Sequence, residues 1–133
     1  VIGADLISGF PTETKEAHKS SLKLIRNLEI CWGHIFPFSP RTGTPASKMP
    51  QIDVKVRKER AKELRIECKK NSSSWKKNQI GSFANVLMES ENQGHCEHFS
   101  NVKSNVKLSK GSIHKLKITK IDNDHLVGNL QES

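Results

Sequence analysis

Tyrosine is missing from this 133-residue sequence, and aromatic residues of all kinds reach only 5%. With hydrophobic residues at 34%, any core must rest on Ile, Leu and Val, and stability should be modest. Cysteine is scarce as well. Cys31, Cys68 and Cys96 are odd in number and far apart, which argues against a disulfide framework and against a metal knuckle with two close ligands. No apolar run approaches the roughly 20 residues of a membrane span. The start also lacks the basic, apolar, small-residue layout of a signal peptide. These absences point to a soluble, cytoplasmic protein without a membrane partner. No methionine opens the chain: it begins at Val1 inside "VIGADLISGF". That run resembles a strand entered partway, so the chain is expected to be a piece of something longer.

What is present is mostly basic, and unevenly so. Residues 1–52 hold six Lys/Arg against four Asp/Glu, residues 53–78 ten against four, and residues 79–133 six against six. The middle segment therefore carries most of the +8 formal charge. Such a segment attracts polyanions, nucleic acid first among them. It also reads as a solvated helix, opened by Asp53 as N-cap, with Ala61, Leu64 and Cys68 on one face.

Upstream the pattern is strand, loop, helix, strand, loop. Thr14 is placed to cap a helix whose buried stripe is Ser21, Leu24, Ile25 and Leu28. "ICWGHIFPF" follows as a strand in which Ile35, Phe36 and Phe38 are buried and Pro37 and Pro40 end the ladder. Parallel strands joined by a helix imply an α/β layout, with ligands at the carboxyl ends of the strands. "GFPTET" and "SPRTGTP" fall at those ends. In the second loop Ser39, Arg41 and Thr44 offer hydroxyls and a fixed charge to a substrate, although an ordinary turn collects the same residues.

Beyond residue 79 the periodicity changes to two. "SFANVLME", "HCEHFS", "NVKSNVKL", "SIHKLKITKI" and "HLVGNL" predict a small five-stranded antiparallel barrel over 79–133. Val102, Val106 and Leu108 alternate with Lys103, Asn105 and Lys107, and Leu116 and Ile118 with Lys115 and Lys117. One face is then apolar and the other lysine-bearing. Small barrels of this kind bind RNA and usually stack bases on aromatic rings, for which Phe83 and Phe99 are the candidates. The lysines would equally keep a barrel soluble.

"GADLISGFPTET", "HIFPFSPRTGTPASKMPQI" and the ending "LKITKIDNDHLVGNL", in this order, resemble the C-terminal half of the tRNA methylthiotransferases, which are radical S-adenosylmethionine enzymes. The wording "HIFPFSPRTGTPA" is most similar to the branch acting on threonylcarbamoyladenosine beside the anticodon. The resemblance implies three parts: residues 1–52 as the last strand-helix units of an incomplete radical (β/α) barrel, 53–78 as a basic connecting helix, and 79–133 as a TRAM-like, OB-like barrel. It places Gly9, Phe10 and Pro11 near S-adenosylmethionine. It implies tRNA, through its anticodon stem-loop, as the partner of Arg57, Lys58, Arg65, Lys69 and Lys70 on the helix and of Lys103, Lys107, Lys115 and Lys117 on the barrel.

The family adds a methylthio group to C2 of a hypermodified adenosine, using S-adenosylmethionine and two 4Fe–4S clusters. One cluster is held by a CxxxCxxC triad and the other by three N-terminal cysteines. Neither set occurs here, so no catalytic or metal-ligating residue, and no cofactor, is expected in this chain alone. Two departures stand out: Thr12 replaces the usual Gly, and Val102 stands where an aromatic residue often follows Asn. The expected identity is a truncated enzyme, inactive by itself. A stand-alone RNA-binding module, or one half of a split enzyme completed by a separately encoded N-terminal half, would carry the same residues.

Overall fold

The computed structural model describes residues 1–131, so the last two positions of the expected 79–133 barrel lie outside the described residues. The chain divides into two compact units, Val1–Ser72 and Ser73–Ser133.

In the first unit, β1 (Ile2–Ser8) and β2 (Ile30–Pro37) pair in parallel, joined by α1 (Lys15–Asn27). The Thr14 side chain accepts from the Ala17 amide at 3.0 Å, which satisfies one orphan donor of the first turn and fixes where α1 begins. The 26-residue helix α2 (Val54–Gln79) follows a short 3-10 turn at Pro45–Lys48. At its start the Lys55 amide donates to the Asp53 carboxylate at 2.9 Å, as expected of a capping residue. Ala61, Leu64 and Cys68 of α2 pack with Ile25, Ile30 and Ile35, so the expected inward face of this helix is present.

Two details differ from the periodicity. Of the expected stripe, Ile25 is fully buried, but Leu24 and Leu28, the latter capping the end of α1, are exposed, and His18 is buried as well. The 2.6 Å hydrogen bond between His18 Nε2 and the Glu63 carboxylate turns that polar side chain toward α2, where hydropathy would not place it. Phe36 is 58% exposed while Ile35 is buried, because consecutive strand residues face opposite ways and only one face of this sheet is covered.

The second unit is a closed barrel of β3 (Phe83–Met88), β4 (Gln93–Cys96), β5 (Asn101–Ser104), β6 (Ile113–Asp122) and β7 (His125–Leu130), in the order β3-β4-β5-β7-β6. The expectation of an all-antiparallel barrel is corrected here: β5 and β7 run parallel. The reason is parity. Five strands that alternate in direction along the chain cannot alternate all the way round a closed ring, so two like-directed strands must meet. They meet because the Ser104–Ile113 connection carries the chain past one position and the β6–β7 hairpin returns it. Asn123 and Asp124, with φ of 47° and 64°, supply the left-handed turn that this tight hairpin needs.

Val86, Met88, Val102, Leu116, Ile118 and Leu126 fill the barrel, with Trp75 from the last turns of α2 packed against them. The predicted inward set in β6, Leu116 and Ile118, is fully buried. The third segment is shorter than predicted. It ends at Ser104, so Val106 is exposed and Lys107 lies in the following loop.

Candidate nucleic-acid interface

At the carboxyl ends of β1 and β2 the two loops are tied together. The Phe38 amide donates to the Ser8 carbonyl at 2.7 Å, and the Phe10 and Phe38 rings meet edge to face at 5.2 Å. Gly9 lies against α2: an added Cβ would sit 2.3 Å from Arg57 Cγ, and its φ of +80° is itself unfavourable for other residues. Its amide donates to Glu13 at 3.0 Å, and the same carboxylate receives Arg60 Nη1 at 3.0 Å. Gly9, Phe10 and Pro11 thus form a rigid elbow with an aromatic flank. In the second loop the Thr44 hydroxyl donates to the Arg41 carbonyl at 2.7 Å and accepts from the Ser47 amide, so its polar atoms serve the turn. Ser39 and Arg41 remain exposed to solvent.

The basic residues of α2 separate by type. Arg57 is buried, donates to the Phe38 carbonyl at 2.7 Å, and leaves its Nε without a partner among the described residues. Arg65 donates to the Ile35 carbonyl. These guanidinium groups hold the strand ends, which removes Arg57 from any surface track. Lys58, Lys69 and Lys70 remain exposed, with Lys70 a loose 4.0 Å from Glu67. Arg26 donates to Glu67 at 2.7 Å and holds its carboxyl below the usual carboxylate range. The distinction was open to sequence reasoning in principle. Arginine's planar fork suits several fixed carbonyl and carboxylate acceptors at once, whereas lysine is a point charge on a flexible stem.

On the barrel Lys103, Lys115 and Lys117 alternate with the buried Val102, Leu116 and Ile118 and so lie on the outer side of the sheet, on strands that are not neighbours. Lys103 on β5 has its ammonium 3.9 Å from Asp122, and Lys115 on β6 lies over the Phe83 ring at 5.0 Å. Strand β7 runs between β5 and β6. Lys117 pairs with Phe83 across β3 and with Asn129 across β7. Val102 is fully buried, so the position that departs from the family pattern faces the core.

Among the described residues no group of three His, Cys, Asp or Glu could hold a metal. Burial pushes the Cys31 and Cys68 thiols up, away from the thiolate that an iron–sulfur cluster requires. These residues do not fit a cluster. No helix among the described residues is long and apolar enough to cross a membrane.

No protein-family profile matches the chain. Curated proteins do. A threonylcarbamoyladenosine tRNA methylthiotransferase of Rickettsia prowazekii is 41% identical over 93% of the chain. A probable threonylcarbamoyladenosine tRNA methylthiotransferase of Methanocaldococcus jannaschii is 36% identical over 95% of it. A tRNA-2-methylthio-N(6)-dimethylallyladenosine synthase of Buchnera aphidicola is 33% identical over 98%. The chain spans 29–32% of the length of these three relatives.

Proposed function

Because the chain belongs to the tRNA methylthiotransferase family, matching the C-terminal part of its members, we propose that it is the tRNA-holding part of such an enzyme. In this reading residues 1–52 contribute the last strand-helix units of a radical S-adenosylmethionine barrel, and the β3–β7 barrel is TRAM-like. The whole enzyme adds a methylthio group to C2 of a hypermodified adenosine beside the anticodon. In this reading the chain alone is inactive, because among the described residues no set suits a cluster.

The observation that carries the proposal is the match over 93–98% of the chain to proteins named for tRNA modification. The basic composition supports it. The exposed lysines Lys58, Lys69, Lys70, Lys107 and Lys115 are suited to phosphate, which they read as point charges. The test is titration of an anticodon stem-loop at several salt concentrations, with duplex DNA as control. Binding of the stem-loop at low salt, ahead of the duplex, is expected. Equal or absent binding would overturn it.

A second reading, half of a split enzyme, has its own support. Ile7 and Phe36 are 63% and 58% exposed and lie directly opposite each other on the uncovered face of the two-stranded sheet. Apolar side chains paired this way suit a face that further strands cover.

A further inference from the structure

The outer surface of the barrel holds a groove of about 480 Å³ between β3, β4 and β6. Its floor is one row of the sheet: Leu87 faces His95 on one side and Ile113 on the other. Leu87 and Ile113 are 47% and 68% exposed, and Phe99 stands at the rim, 81% exposed. Phe99 adopts a φ of 60°, a conformation that costs a bulky residue free energy and that no burial of its ring offsets here.

The rim beside this apolar floor is acidic and ordered. Glu97 accepts from the Asn85 amide at 3.3 Å and from Asn85 Nδ2 at 3.1 Å, and Glu89 pairs with His95. The next positions along β6 are lysines: Lys115 opposite Asn85, and Lys117 opposite Phe83. The surface is therefore graded over a short distance from apolar, through carboxylate, to ammonium.

We infer that this groove takes one unstacked nucleobase of single-stranded RNA, selecting bases that carry an exocyclic amino group. The inference rests on the tRNA reading above and adds to it where a base is read and by what. A phosphate is repelled from the groove by Glu89 and Glu97 but welcomed at Lys115 and Lys117. A base has the complementary layout: an apolar face for Leu87, Ile113 and Phe99, and an amino edge that donates to Glu97. Each carboxylate oxygen of Glu97 keeps a second acceptor position after its bond to Asn85. Carboxylates accept from the cytosine amino group and are repelled by the uracil carbonyl at the same ring position.

The experiment uses the full chain with tetracytidylate and tetrauridylate, following affinity and the methyl resonances of Leu87 and Ile113. Tetracytidylate is expected to bind about tenfold tighter, the low end of the discrimination given by one well-placed edge contact. Phe99→Ala should weaken it about tenfold through lost stacking. Glu97→Gln, which presents an amide donor as well as an acceptor, should erase the cytosine preference. Lys115→Ala should weaken both oligonucleotides alike. Phe99 is almost wholly exposed, so its variant should keep the parent unfolding midpoint. Equal binding of the two oligonucleotides without shifts at Leu87 and Ile113 would overturn the inference while leaving phosphate-driven tRNA binding in place. Failure of the anticodon stem-loop itself to bind would overturn both.

Discussion

Replacing Gly94 with alanine tests the barrel at its tightest point. A Cβ at this position would lie 2.1 Å from the Leu87 carbonyl oxygen and 2.8 Å from its carbon, so the obstacle is the backbone of β3, and no rotamer relieves it. The strands must part by more than an ångström along a ladder only three residue pairs long, Val86 to Met88 against Cys96 to Gly94. Losing about two ladder hydrogen bonds at about 1 kcal/mol each, together with overpacking of about 1–3 kcal/mol, gives a destabilisation of about 3–5 kcal/mol. For a unit of this size that lowers Tm by at least about 12 °C.

Gly111→Ala is the matched control. It has nothing within 4 Å of the added Cβ and a φ of +85°, so only the conformational cost remains, about 1–2 kcal/mol. Gly128→Ala should fall between them: the nearest atom, Leu116 Cβ at 2.8 Å, moves only with its backbone, but the overlap is smaller than the 2.1 Å approach at Gly94. Trp75, packed on the barrel, reports unfolding in a Trp32→Phe background by fluorescence in urea. A Gly94→Ala midpoint equal to the parent's, or a larger loss from Gly111→Ala, would refute the described approach of β3 and β4.

Three further outcomes are expected. Hydrogen exchange should be fast at β1 and β2, whose sheet has both edges and one face open, and slow in the barrel; equal protection in a monomer would contradict this. Glu67, held below the usual carboxylate range by its hydrogen bond from Arg26, contributes stability above the unfolded value of about 4.3, lost as pH falls through the lower folded value. Glu67→Gln should therefore flatten the acid-side loss of exchange protection in α1 and α2, and an unchanged pH profile would count against the pair. After anaerobic treatment with iron and sulfide, the chain should not cleave S-adenosylmethionine; stoichiometric 5′-deoxyadenosine would show that its residues do assemble a cluster.

Much of this architecture is legible in the sequence because its signals are local. Thr14 and Asp53 mark helix starts through hydroxyl and carboxylate acceptors, and the Leu116–Ile118 alternation marks an inward strand face. What local pattern does not carry is pairing. The parallel β5–β7 contact follows from closing the ring, and no property of "NVKS" or "HLVGNL" alone announces it. Burial of His18 accompanies its contact with Glu63, 45 residues away, so periodicity finds Ile25 but misses His18. The same holds for the candidate site. A basic helix is visible as charge, but the retirement of Arg57 to the Phe38 carbonyl depends on where a distant strand ends. The groove on the barrel is a register effect, since Leu87, His95 and Ile113 come from three strands.

The central claim is that this chain holds tRNA through phosphate contacts, and the salt dependence of stem-loop binding tests it most directly. Each phosphate contact contributes roughly 0.7–0.9 to the slope of log affinity against log salt. Removing two with Lys103→Ala and Lys107→Ala should lower the slope by up to about 1.8 without changing which stem-loop is preferred. Lys103 is partly neutralised by Asp122 at 3.9 Å, so the drop should be smaller than for two free lysines. A shallower slope with preference retained is the predicted result. A slope unchanged by the double substitution would contradict the claim and leave these lysines as solubilising residues.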